Sequence, residues 1–186
     1  IVTGDWSSDV CSSDLEEWFR VEKGAIVAGS LEKKIPKNQF LVTNKSYQDF
    51  DLKFKAKLVG KGKNAGVQFW SERIPNHHEM IGFQSDIGMM GNVSIWGALY
   101  DESRRRKFLT NVSNPTQKAT NLNSWNEFRI RAEGDVITIW INGALATRYF
   151  ENASESKIPR NGRFGLQIHS GPPAEAWYKD IQIKEL

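Results

Sequence analysis

From Glu16 onward, short apolar or alternating runs are separated by clusters of Gly, Asn, Pro and Ser. This period and punctuation predict β-strands. The runs are Trp18–Glu22, Ala25–Gly29, Gln39–Thr43, Phe50–Val59, Gly66–Glu72 and Met80–Ile87. They continue with Val93–Tyr100, Phe128–Ala132, Val136–Ile141, Ala144–Phe150, Phe164–His169 and Trp177–Glu185. Asn142-Gly143 between two of them suits the positive φ angles of a type I′ hairpin turn. Gly60 to Asn64 reads as a second turn. Asp101–Lys107 offers at most a turn or two of helix, and Asn111–Asn123 reads as a polar loop around Pro115. Short strands at regular spacing predict one all-β sandwich or barrel, with no internal repeat and no domain boundary.

Side chains alternate between the faces of a strand, and four strands segregate the same way. Val67 and Phe69 oppose Gln68, Trp70 and Glu72, while Ile81, Phe83 and Ile87 oppose Gln84 and Asp86. Val93, Ile95 and Leu99 oppose Ser94, Trp96 and Tyr100, and Phe164, Leu166 and Ile168 oppose Gln167 and His169. A solvated face favours Lys, Glu and Thr. This face carries amides, aromatics and few titratable groups, a mixture that suits sugars. Two readings of Trp70 and Trp96 stand side by side: rings lining a sugar face, or a minor second core beneath loops.

Composition narrows the field. The 186 residues carry a net charge of +3, too little to argue for nucleic acid. Seven Trp and 11% aromatic residues speak against disorder. No apolar run approaches the roughly 20 residues of a membrane span. A single cysteine excludes an internal disulfide framework and a thiolate zinc cluster.

The segment Ile1 to Leu15 reads unlike the rest. Asp5-Trp-Ser-Ser-Asp-Val-Cys-Ser-Ser-Asp-Leu15 resembles a translated frame of a common sequencing adapter, and such a scar is kept out of fold reasoning. Residues 16–186 are then the single domain, expected to lack its first strand. Without Asp5, Asp9 and Asp14, acidic residues fall from 22 to 19 against 25 basic ones, a balance of +6. Cys11, the only cysteine, goes with the segment.

Titratable candidates are few. Asp86 and His169 fall on the polar face. His77, His78 and Glu79 resemble a partial metal set, but neighbours on a strand point apart and a third ligand is not evident. No cofactor is predicted, and a divalent metal stays an open alternative. Arg104-Arg105-Arg106 reads either as an anion clamp or as a solvated basic loop. There is no phosphate-binding Gly-rich loop, nucleophile elbow or His-Glu-x-x-His motif.

An ordered set of short motifs resembles one family. It runs through Trp18-Phe-Arg-Val-Glu-Lys-Gly24, Tyr47-Gln-Asp-Phe-Asp-Leu52, Asn64-Ala-Gly-Val-Gln-Phe69 and Gly82-Phe-Gln-Ser-Asp86. Trp96-Gly-Ala-Leu-Tyr100, Trp125-Asn-Glu-Phe128, Trp140-Ile-Asn-Gly143, Gly165-Leu-Gln-Ile-His169 and Tyr178-Lys-Asp-Ile-Gln-Ile183 follow. The set is similar to the 3-keto-disaccharide hydrolase domain. Ser71–Glu79 and Tyr100–Arg106 resemble its planctomycete-type branch.

The resemblance implies a concanavalin A-like jelly roll of two antiparallel sheets, exported in bacteria, acting on glycosides oxidised at C3. That chemistry asks for a base at C2, a group holding the enolate oxygen and an acid for the leaving group. Asp86 and His169 are expected as base and relay, with Arg73 or a metal at the enolate. Gln68, Trp70, Gln84, Trp96, Tyr100 and Gln167 are expected to position the sugar. Family members usually carry Arg where this chain has Trp70. The alternative is a glycan-binding module without catalysis on the same fold. An oligosaccharide is the expected partner in either case.

Overall fold

The computed structural model describes residues 17–62, 64–152, 154 and 157–186. The adapter-like segment 1–15 lies outside them. Among the described residues, fourteen strands and one complete short helix follow in chain order. They are β1 (Phe19–Glu22), β2 (Ala25–Ser30), β3 (Gln39–Val42), β4 (Phe50–Gly60), β5 (Asn64–Arg73), β6 (Met80–Met90) and β7 (Val93–Ser94). Next come β8 (Leu99–Glu102), β9 (Lys107–Phe108), α1 (Asn114–Ala119) and β10 (Asn126–Glu133). Last are β11 (Val136–Ile141), β12 (Ala144–Phe150), β13 (Arg163–Ile168) and β14 (Ala174–Glu185).

Two antiparallel sheets form a jelly roll. One has the order β1-β2-β14-β4-β10-β11-β12; the other runs β3-β13-β5-β6-β8-β9, with β7 paired to β6. Period-two alternation builds the core between them. In β4, Phe50, Leu52, Phe54 and Ala56 point inward against Phe69, Phe83, Phe128 and Phe164. Phe54 stacks on Phe128 with centroids 4.8 Å apart and planes 12° from parallel. Each fully buried large side chain stabilises the fold by about 1.5–3 kcal/mol. The buried Tyr178 hydroxyl crosses the core, donating to the Gln167 carbonyl at 2.6 Å and lying 3.1 Å from that of Gly66. It ties the first sheet to the backbone beneath the polar face of the second.

The Asn142-Gly143 turn forms as expected, with φ of 48° and 81°. Two expectations fail. Val93–Tyr100 is not one strand, because Gly97 at φ 78° turns the chain between β7 and β8. The polar loop contains α1, whose Ser113 cap accepts from the Thr116 N–H and whose Pro115 fits the first turn.

One distortion shapes the site. The β5–β6 register shifts between Phe69 and Glu72, and Trp70 takes the left-handed φ of 46°. A bulge of this kind bends a strand. Two glycines permit the bend. A Cβ on Gly162 would stand 2.4 Å from the Ser71 nitrogen, and one on Gly82 would overlap the Ser71 side chain. Beyond the bend, the end of the hairpin folds over the open face of its own sheet. Arg73 Nη2 donates to the Phe40 carbonyl at 3.0 Å, although β13 separates β3 from β5. Met80 packs with Phe40 and Val42, over the space a side chain at Gly165 would fill. Asn38 Nδ2 donates to Glu79 Oε1 at 2.9 Å.

Candidate functional site

The hairpin end is a roof; the floor is the open face of β13, β5, β6 and β8. Cross-strand partners place Gln167, Gly66 and Asp86 in one row and Gly165, Gln68, Gln84 and Tyr100 in the next. Gly82 and Glu102 follow in a third. The alternation of β5, β6 and β13 thus brings Gln68, Gln84, Asp86 and Gln167 together as the sequence implied.

The roof makes this polar layer dry: Gln68 and Gln167 are fully buried, and Gln84 and Asp86 are 3% exposed. Gln84 Nε2 donates to Asp86 Oδ1 at 2.6 Å and to Gln167 Oε1 at 3.0 Å. Both polar atoms of Gln68, Gln84 Oε1 and Gln167 Nε2 have no partner among the described residues. An unmade buried hydrogen bond costs roughly 1–3 kcal/mol, a cost that ordered water or a bound polar group can relieve.

Burial pushes the Asp86 carboxyl up to about 8 against the pull of Gln84, with the charge of Glu102 adding to the rise. Glu102 is raised too, by burial and then by Glu79, while the Ser103 N–H, His169 and Arg106 oppose. Burial, then Glu102 and Asp86, raise Tyr100. Asp86, Tyr100, Glu102, Glu79 and His169 therefore share one electrostatic neighbourhood.

His169 Nδ1 lies 2.7 Å from the Ser170 carbonyl. A carbonyl only accepts, so Nδ1 carries a proton and Nε2 is left free of that contact. Among the described residues no hydrogen bond joins His169 to Asp86, so the expected direct relay is absent. Arg73 sits in the roof, half-buried, and burial followed by the charge of Arg163 lowers its pKa.

Two expectations are corrected. Trp70 is 2% exposed and belongs to the main core. The bulge turns it inward beside Phe69, where its Nε1 donates to the Gln48 carbonyl at 2.5 Å and its ring meets Phe50 edge-on. Trp96, also 2% exposed, packs on Phe128 at 5.9 Å. Neither lines the polar face. The basic run is pinned rather than free: Arg104 and Arg105 bind the buried carboxylate of Asp101, and Arg105 also bonds Glu151 at 2.7 Å. His77 and His78 stack at 4.4 Å, and His78 Nε2 lies 3.1 Å from Glu79 Oε1. No group of three or more His, Cys, Asp or Glu among the described residues is arranged to hold a metal.

Glu102 and Asn38 were not foreseen, and Glu79 was weighed only as a metal ligand beside His77 and His78. Extending the alternation of Tyr100 by two residues places Glu102 on the same face. Glu79 and Asn38 arrive only through the folded hairpin.

A groove of about 830 Å³ lies on the outer face of the other sheet, lined by Lys53, Lys55, Glu127, Arg129, Trp140 and Asp180 among others. Its charges are largely satisfied within it: Lys55 pairs with Asp180 at 3.1 Å, and Arg129 forks onto Asp51. Orphaned amides and raised carboxyls single out the roofed face instead.

Fold and site together define a carbohydrate-related jelly roll. The chain belongs to the 3-keto-alpha-glucoside-1,2-lyase-like domain family, whose model matches residues 2–184. A search of curated proteins finds no sequence match. Among solved structures, a Parabacteroides distasonis protein provisionally assigned as a glycosyl hydrolase is similar at TM-score 0.65 and 20% identity, over 91% of each chain. The carbohydrate binding module CBM66 from Bacillus subtilis is similar at TM-score 0.68 and 14% identity, over 90% of this chain and 91% of that one. A legume lectin-like domain from Entamoeba histolytica matches at TM-score 0.60 and 14% identity, over 90% and 87%. These similarities establish the fold. Among the described residues no helix is long and apolar enough to cross a membrane.

Proposed function

We propose that the roofed face takes a glycoside already oxidised at C3 and eliminates its aglycone across C1 and C2, after which water adds to give the free 3-keto sugar. The observation that carries this reading is Asp86, a buried carboxyl held at about 8 in a layer of amides with unpaired polar atoms. A base works best when its pKa lies near the working pH. The C3 ketone acidifies the C2 hydrogen, and Asp86 takes that proton. The C–H pair becomes the C1–C2 double bond, and the C1–O pair leaves with the aglycone. Amide N–H groups of Gln68 and Gln167 meet the developing enolate oxygen, as an oxyanion hole does. Arg73, in the roof, is a cationic candidate for the same role, and Tyr100 and His169 border the sugar. The family description names a lyase of this kind. A bacterial, extracytoplasmic setting belongs to the same reading.

The test is to incubate the protein with a 3-keto-glucoside in D2O. Aglycone release with solvent deuterium at C2 of the product is expected. Release without deuterium at C2, or no release, overturns the reading. A second reading is glycan binding without turnover, supported by the orphaned amides themselves and by the binding-module neighbour. Saturable heat of binding without release would favour it.

A further inference from the structure

We propose that Glu102 is the proton donor to the departing glycosidic oxygen, and the proton acceptor from the water that later adds at C1. This rests on the elimination proposed above. Glu102 ends β8 two residues beyond Tyr100, on the face that carries Gln84 and Asp86. Its cross-strand partner Gly82 has no side chain of its own, and the Ser71 side chain fills the space above that glycine. One carboxyl oxygen accepts from the Ser103 N–H at 3.1 Å. The other has no hydrogen-bond partner among the described residues. Burial and Glu79, from the roof, favour its proton-carrying form.

Position separates its work from that of Asp86. The two lie on neighbouring strands, four residues apart along the ladder, which is about 13 Å between backbones at ~3.3 Å per residue. The carboxyls approach closely enough for the charge of Glu102 to raise Asp86. A sugar ring between them presents C2 to one and the glycosidic oxygen to the other.

The cycle closes without another reactant. Asp86 gains the C2 proton as the C1–O bond breaks, and Glu102 gives its proton to the leaving oxygen. Water then attacks C1, Glu102 takes the water proton, and Asp86, its proton first exchanged with solvent, protonates C2. Both groups end as they began.

The experiment compares two 3-keto-glucosides, one with nitrophenol and one with a sugar as leaving group. Nitrophenolate departs without a proton, whereas a sugar alkoxide does not. Glu102→Gln is expected to lower the single-turnover rate of aglycone release from the disaccharide by about 10²–10⁴-fold, the usual worth of a positioned acid, and from the nitrophenyl compound by only a few-fold. Glu102→Asp, which keeps the acid at shorter reach, is expected to fall between. Equal losses on both substrates, or no loss on either, overturn the assignment. A wild-type protein inactive on both refutes the elimination reading itself.

Discussion

Gln84 occupies the space that a side chain at residue 66 would need: a Cβ there would stand 2.6 Å from the Gln84 side chain. The bare backbone of Gly66 lets Gln84 lie flat and reach Asp86 and Gln167 at once. Gly66→Ala is expected to push Gln84 aside. The side chain is flexible, so the stability loss should stay near ~1 kcal/mol. Asp86 would lose the donor that favours its charged form, and its pKa should rise further above about 8. An NMR titration of the Asp86 carboxyl carbon checks this, and an unchanged midpoint would contradict it.

Asp86 also sets a slope of stability against pH. In the folded chain it keeps its proton to about 8, whereas unfolded it ionises near ~4. Its contribution is therefore most favourable below pH ~4 and is lost as pH rises toward about 8, beyond which it is level. Glu102 acts in the same direction, its pKa also being raised. Thermal melts between pH 4 and 8.5 should show a smaller fall in Tm for Asp86→Asn than for wild type. Parallel curves would remove Asp86 as the cause. The same variant should lose at least ~100-fold in turnover.

Trp70 serves the core, so Trp70→Ala should cost about 3–5 kcal/mol in chemical denaturation. A ring that served only to stack on sugar would instead weaken binding and leave the unfolding midpoint in place.

Asp101 is fully buried and neutralises Arg104 and Arg105. Asp101→Ala strips both of their shared counterion, and a loss of about 3 kcal/mol is expected in urea denaturation. A loss below ~1 kcal/mol would show the network to be ornamental.

The sequence carried the sheets and half the site because both follow period two. Asn142-Gly143 announced its hairpin, and Gln68, Gln84, Asp86 and Gln167 fell on one face by counting. The errors sit where the count slips. The bulge after Phe69 puts two successive residues into the core, so Trp70 moved to the opposite face from the one counted. The turn at Gly97 did the same to Trp96. Glu102 was lost because the counted strand stopped at Tyr100. Glu79 and Asn38 meet through a fold-back that no local pattern encodes.

The overhang of the site and the middle of its floor belong to a single ribbon, β5 with β6, creased at Trp70-Ser71 and Gly82. The segment 74–79 at its tip bears no amide of the floor. On the proposed reading, lengthening or trimming residues 74–78 changes how much of a glycan fits beneath them and leaves Gln68, Gln84 and Asp86 in place. Glu79, the last residue of the tip, couples it back to Glu102, so on the proposed reading only residues 74–78 can vary without touching the proton chemistry.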